Sequence, residues 1–391
     1  MINRLNKPLR LRFQVLFLTV TRVIVQSNTR MLYPFLAAFA RGLGIDIVDI
    51  SLAATARSMT AAFVPFLTPL SDRFNRKVGM LTGIIIFIIG NIIVVLRPTV
   101  LMFVISVCIS LLGSYLFIPS IQAYLGDKVG YENRARVIGI VELGWSLSFI
   151  IGMPLVGFVI SRFGWLSPFK ASIFLGLLGL AIVFIVVPFE EHDSTDKSNN
   201  KNYRTIFSSK PAIIALLMGM AFTMANEVIA LFFGVWLEDS FGLKIAALGA
   251  ASMVIGFAEL GGESLTSVIT DKIGKKNSIK FGLILNCVFV ALLPLIGSSI
   301  PGAMIGLFLF FITFEYTMVS YLPMMTEVMP TARATFLGIG IAAMSLGRAG
   351  GAALAPILYE WSFFGNSLAA IFLNILALFA LNKLSSNVQE N

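Results

Sequence analysis

Apolar residues run in blocks of about twenty, separated by short polar turns, along nearly the whole 391-residue chain. A block of that length crosses the roughly 30 Å hydrocarbon layer as an α-helix rising about 1.5 Å per residue. The pattern predicts helices near 13–39, 50–70, 78–96, 99–123, 138–161 and 167–188. It predicts a second six near 212–238, 244–270, 277–298, 301–325, 334–358 and 363–382. One strongly polar stretch, Glu190 through Ser208, interrupts the series at its middle. The expected organisation is a six-helix bundle over 1–188, a linker over 189–211 and a second six-helix bundle over 212–391. That is an all-α polytopic membrane protein of twelve transmembrane helices.

A charged turn occurs once in each half. Leu70-Ser71-Asp72-Arg73-Phe74-Asn75-Arg76-Lys77 is echoed by Ile269-Thr270-Asp271-Lys272-Ile273-Gly274-Lys275-Lys276. The shift from Asp72 to Asp271, 199 positions (271 minus 72), also lays Arg134 on Arg333, Gly139 on Gly338 and Gly152 on Gly351. Repetition at one offset predicts that the bundles are pseudo-symmetric copies in the same orientation.

With 57% hydrophobic and 13% charged residues, the chain cannot present a polar surface to water, so the lipid bilayer is its expected environment. Lysine and arginine crowd one side of the twelve-helix topology, in the turns around Arg76, Arg134, Arg136 and Lys275, in the linker and at the N-terminus. The other side holds only Arg41, Arg97, Arg162, Lys170 and Lys244. The positive-inside rule places both termini and the linker in the cytoplasm, in a cell (inner) membrane. This bias accounts for the net charge of +9 without a nucleic-acid partner. Arg22 and Arg30 interrupt the first apolar run, which is read as an uncleaved first helix. Cys108 and Cys287 fall inside spans as packing residues. The single histidine, His192, argues against a clustered-histidine metal site and against a serine hydrolase. No G-x-x-x-x-G-K-[ST] loop is present for ATP-driven transport. No enzyme activity, cofactor or metal is expected.

The turn at Asp72 resembles the signature of the major facilitator superfamily, G-x-L-a-D-r-x-G-r-k between helices 2 and 3. Leu70, Asp72, Arg73, Arg76 and Lys77 fit it, while Thr68 and Asn75 stand in place of the glycines. In the second copy Asp271, Lys272, Gly274, Lys275 and Lys276 fit and Ser267 replaces the first glycine. The resemblance implies a conformational latch at the cytoplasmic helix ends, built from Asp72, Arg73, Arg76, Lys77, Asp271 and Lys272, with Glu142 in its network. Arg73, Arg76 and Lys77 would equally serve to fix topology. In helix 5, Gly144, Ser148, Gly152, Pro154 and Gly157 resemble the Gly/Pro-rich antiporter motif of drug:proton exporters. The same small residues read as helix packing alone. Helix 4 departs from the exporter pattern of an intramembrane arginine, because Val104 to Ala123 holds no charge.

Charges within hydrocarbon need a partner or a wet cavity. Asn28, Arg30, Asn226, Glu227, Glu259, Glu315 and Arg348 are expected near mid-depth, with Tyr33 beside them and Glu263 one turn beyond Glu259 on the same helix face. These nine residues form the candidate substrate and proton site. Each glutamate reads either as a proton carrier or as half of a buried ion pair. Four deep acids, Glu227, Glu259, Glu263 and Glu315, match four embedded arginines, Arg22, Arg30, Arg57 and Arg348, so carboxylate partners are expected for Arg30 and Arg348. Aromatic residues, among them Phe35, Trp145, Phe222, Phe232, Phe233, Trp236, Phe311 and Tyr316, suit a lipophilic cargo. The resemblance implies a monomeric secondary transporter of a small lipophilic molecule that works by alternating access, with proton-coupled export. A lipid or lysolipid flippase, or an uptake carrier for an organic anion, is the alternative on the same fold.

Overall fold

A computed structural model describes residues 2–71, 75–189 and 203–389. Twelve helices follow in series: α1 (Ile2–Arg30, resumed by Leu32–Leu43), α2 (Ile47–Ser71), α3 (Arg76–Leu96), α4 (Val100–Lys128), α5 (Tyr131–Phe163), α6 (Ser167–Val186), α7 (Lys210–Phe241), α8 (Ile245–Ile273), α9 (Lys275–Ile296), α10 (Ile300–Val328), α11 (Arg333–Tyr359) and α12 (Phe363–Gln389). Stretches within α2 through α12 are long and apolar enough to cross a membrane, and the Leu32–Leu43 piece of α1 is a shorter apolar helix. The expected linker falls mostly on 190–202, outside the described residues. The chain resumes in a short helix, Tyr203–Ser208, whose Ile206 is buried in the second half.

Local chemistry sets the helix ends, and it does so in duplicate. Thr99 and Ser299 accept the backbone N–H of Met102 and Gly302 and so open α4 and α10, each 29 residues long. Gly44 and Gly242 close α1 and α7 at φ 68° and 63°, a left-handed cap that a side chain would strain. Both lead helices break at mid-depth, α1 between Arg30 and Leu32 and α7 between Ala230 and Phe233. A backbone group freed inside hydrocarbon must find another partner. Arg57 accordingly donates to the Thr29 carbonyl, and Asn366 Nδ2 to that of Val228 at 2.9 Å.

Several helices outrun the hydrophobic pattern at their ends: α1 begins at Ile2 rather than near 13, α4 continues past 123 to Lys128 and α12 past 382 to Gln389. α5 starts at Tyr131 rather than near 138, because its first turns carry Glu132, Asn133, Arg134 and Arg136 and lie exposed beyond the apolar block. α10 likewise continues past 325 to Val328. α5 also holds a π-helical turn at Ser148–Gly152, which no hydrophobic pattern reports.

Buried amides pin each half separately. Asn28 Nδ2 donates to Asn91 Oδ1 (2.7 Å) and Ser172 Oγ (3.1 Å), joining α1, α3 and α6. In the second half Asn374 Nδ2 donates to Asn286 Oδ1 (2.8 Å), and Asn286 Nδ2 to Thr313 Oγ1 (2.9 Å), joining α12, α9 and α10.

The apolar core reports the conformation. One cluster, including Leu36, Phe39, Phe103 and Phe149 of the first half and Phe232, Phe233, Leu237 and Phe310 of the second, is continuous across both halves. It fills the end of the bundle away from the start of α1. Toward the opposite end, where α1 begins and α12 finishes, the core divides. Val15, Met80, Phe117 and Val183 pack within the first half, and Leu216, Leu283, Tyr321 and Phe336 within the second. The halves are thus sealed at the far end, while at the near end their cores are parted and α2 still approaches α11 at Pro65 and Gly338. At the seal Arg41 pairs with Glu238 across the halves at 2.8 Å. The crossing of α5 on α8 depends on small residues: a Cβ on Gly249 would meet the Met153 carbonyl at 2.6 Å, and one on Gly157 the Ile245 carbonyl at 2.9 Å.

Filling that crossing should loosen the seal. Gly249→Leu is expected to lower stability by about 1–3 kcal/mol, as overpacking does. Gly139→Ala, on an exposed helix face with nothing within 4 Å of the added carbon, should instead raise it by about 0.5–1 kcal/mol, the gain in helix propensity. Thermal unfolding of the purified variants in detergent checks the contrast.

Candidate functional site

Arg30 ends the first segment of α1 at its break, so its side chain leaves the helix at mid-depth. The guanidinium lies between two rings of α5, 3.8 Å from the Trp145 centroid and 4.0 Å from that of Phe149. The rings are four positions apart and share one helix face. Arg30 Nη1 donates to the Trp145 carbonyl at 2.9 Å and to Ser148 Oγ at 3.2 Å, where the helix enters its π turn. Its outer edge forms a two-pronged ion pair with Glu259 of α8 in the other half, through both Nη1 (3.0 Å to Oε2) and Nη2. The two side chains are 7% and 5% exposed, so the pair stands in a dehydrated interface where attraction is strong.

Two further carboxylates stand near that pair. Gly262 lets α10 approach α8 so closely that a Cβ there would lie 2.7 Å from Glu315 Cβ, which seats Glu315 between Glu259 and Glu263. Glu315 interacts electrostatically with both of them and with Arg30 and Arg348. Glu263 interacts with Glu142 and Arg22 of the facing half. Among the described residues neither Glu263 nor Glu315 makes an ion pair. Glu315 is 8% exposed, whereas Glu263 is only half-buried on the side toward the open end.

A second polar chain crosses the halves. Arg57 of α2 donates to Tyr33 Oη (2.8 Å), and Tyr33 donates to Glu227 Oε2 of α7 (3.2 Å). Arg348 of α11 stands 3.6 Å from the same carboxylate oxygen. The approach of α11 to α7 comes from Gly351, where a Cβ would meet Glu227 Cβ and the Met224 carbonyl at 2.7 Å. Glu227 Oε1 and Asn226 Nδ2 are buried without a hydrogen-bond partner among the described residues.

The structure redistributes the expected pairings. Arg30 and Arg348 do face carboxylates, but the one-to-one match of four deep acids to four arginines fails. Arg22, two turns nearer the open end, pairs with Glu142 of α5 at 2.7 and 2.5 Å, and Gln122 of α4 also donates to Glu142. Arg57 is held by a carbonyl and a phenol. Two acids are left over for that reason. Asn28 stands apart from the acid cluster in the amide pin of its own half. Phe149 was not singled out by the sequence, although its spacing from Trp145 was visible there.

The proposed latch is partly out of view, because Asp72 and Arg73 lie outside the described residues. Arg76 contacts Asp127 (3.4 Å), and Lys77 donates to the Phe184 carbonyl (2.7 Å), both within the first half. Asp271 and Lys272 are exposed at the end of α8, beside the Lys275–Glu327 pair. In α5, Gly144 and Gly152 face α1 at Arg22 and Ser27, Gly157 faces α8, and Pro154 lies two residues past the π turn.

A bundle of twelve apolar helices in two related halves, with paired charges between them, defines a multi-pass membrane transporter. The family model of the Major Facilitator Superfamily matches residues 18–356, and the chain belongs to that family. Similar proteins include the MFS-type transporter YceJ of Bacillus subtilis, 26% identical over 86% of this chain and 87% of the relative. Multidrug resistance protein 2 of the same organism is 24% identical over 80% of each chain. Among solved structures, a D-xylose-proton symporter superposes with a TM-score of 0.76 at 15% identity, covering 95% of this chain and 96% of that one. A bacterial homolog of the human lysosomal transporter Spinster, inward-facing and occupied, gives 0.73 at 15% identity over 97% of each.

Breaking the Arg30–Glu259 pair should be asymmetric. Glu259→Met strands a guanidinium that cannot shed its charge and is expected to cost about 3–5 kcal/mol. Arg30→Met leaves a carboxylate that can take a proton and should cost less. The double variant should recover most of the loss, since a hydrophobic pair replaces a buried ion pair at little cost. A double-mutant cycle by thermal unfolding measures all three.

Proposed function

We propose that this chain is a secondary active transporter exporting a small, lipophilic molecule in exchange for protons, by alternating access. The observation that carries the reading is the Arg30–Glu259 pair between the halves, flanked by the carboxylates of Glu263 and Glu315, which make no ion pair among the described residues. An interhalf ion pair at mid-depth holds one conformation, and protonation of its acid weakens it. The halves 1–188 and 212–391 rock as units about the paired charges, with 189–211 as the tether between them. The near end, now parted, is the cytoplasmic one, in agreement with its lysines and arginines.

The candidate residues divide by role. Glu259, Glu263 and Glu315 exchange protons, Arg30 answers their charge, and Asn226, Glu227, Tyr33 and Arg348 form the second crossing point. Apolar and aromatic walls accommodate the cargo, and likeness to a multidrug resistance protein favours export. Asp72, Arg73 and their partners close the near end in the opposite conformation. A single chain contains both crossing points and works as a monomer.

Flux into proteoliposomes with an imposed pH gradient tests the reading. Replacing glutamate by glutamine imitates the protonated acid, so at least one of Glu227→Gln, Glu259→Gln, Glu263→Gln and Glu315→Gln should lose gradient-driven accumulation tenfold or more while retaining exchange. Normal accumulation by all four variants would refute proton coupling at these sites.

A further inference from the structure

Within that reading, we infer that the box formed by Trp145, Phe149 and Glu259 is a binding site for a planar organic cation, and that Arg30 is a tethered internal ligand which the cargo displaces. The box has the parts that recognise a flat cation. Two aromatic faces enclose the guanidinium at 3.8 and 4.0 Å from their centroids, and a carboxylate grips its edge with both oxygens. Ser148 Oγ and the Trp145 carbonyl accept from the same Nη1. Cation–π attraction strengthens with dehydration, and planar two-pronged geometry favours guanidinium-like shapes over a compact ammonium.

Displacement needs somewhere for Arg30 to go, and the structure supplies it. Glu315 and Glu263 lie within electrostatic reach of Arg30 and hold no ion pair of their own among the described residues. Glu315 is buried, feels Arg30 and Arg348 only at a distance and makes no ion pair among the described residues, a position that a displaced guanidinium would neutralise. Glu227, Glu259, Glu263 and Glu315 stand against Arg30, Arg57 and Arg348, four acids to three cations, and this deficit of one positive charge is what a proton or a cationic cargo fills. Access runs from the parted end, where Glu142 is 36% exposed by side chain and Trp145 and Glu263 are half-buried.

Calorimetric titration of the purified full chain in detergent, with no gradient, tests the inference using phenylguanidinium as probe and phenylurea as its neutral isostere. Phenylguanidinium should bind at least tenfold more tightly than phenylurea. Arg30→Ala empties the box and should tighten phenylguanidinium tenfold or more, whereas a residue that merely orders the site would weaken binding when removed. In the Arg30→Ala background, adding Trp145→Ala should reverse the gain by about 5–30-fold, the share of one desolvated cation–π face. Should Arg30→Ala not fold, Glu315→Gln in the otherwise native chain serves instead. It removes the resting place of the displaced arginine and should weaken phenylguanidinium fivefold or more. Equal binding of the two probes, no tightening in Arg30→Ala, no reversal on adding Trp145→Ala, or an unchanged Glu315→Gln would each overturn the proposal. Because binding is read without flux, failure here leaves proton-coupled transport standing, and failure of the gradient experiment leaves this binding site standing.

Discussion

A charge in hydrocarbon must be answered by another charge, by hydrogen bonds or by water, and the centre of this molecule is arranged around that requirement. Arg30 enters the interface from a break in α1 and meets Glu259 from the facing half, so the partner that makes the arginine tolerable also holds the halves together. Beside that pairing, the two six-helix units are joined by the apolar far end, the α5–α8 crossing, the Tyr33–Glu227 and Arg41–Glu238 contacts and a long packing of α2 on α11. The same constraint bears on the flanking Glu315, because burial disfavours the charged form of an acid that has no ion-pair partner among the described residues.

Packing serves this polar centre at several points. Glycines bring α8 to α10 at Gly262 and α11 to α7 at Gly351, and each close approach carries a glutamate into position, Glu315 in one case and Glu227 in the other. The π turn of α5 places Trp145 and Phe149 on either side of Arg30 while offering it a carbonyl and a hydroxyl. Amide pins tie helices together within each half, through Asn91 in one and Asn286 in the other.

The sequence by itself determined the solvent, the number of helices and their duplication, because hydrocarbon imposes a length and a polarity on every spanning segment and leaves these visible in the order of residues. It also marked the deep charges, since Arg30, Glu227, Glu259, Glu315 and Arg348 stand out against apolar surroundings. Which charge meets which was decided only by the tertiary structure. Depth counted along a helix says nothing of rotation about its axis, so the sequence could not tell that Glu142 answers Arg22, that Arg57 is satisfied by Tyr33 and a carbonyl, or that Glu263 and Glu315 remain over. The aromatic enclosure of Arg30 likewise needs α1 and α5 placed side by side, and the parted near end needs the relative tilt of two halves. Both are properties of helix against helix, which one-dimensional periodicity does not contain.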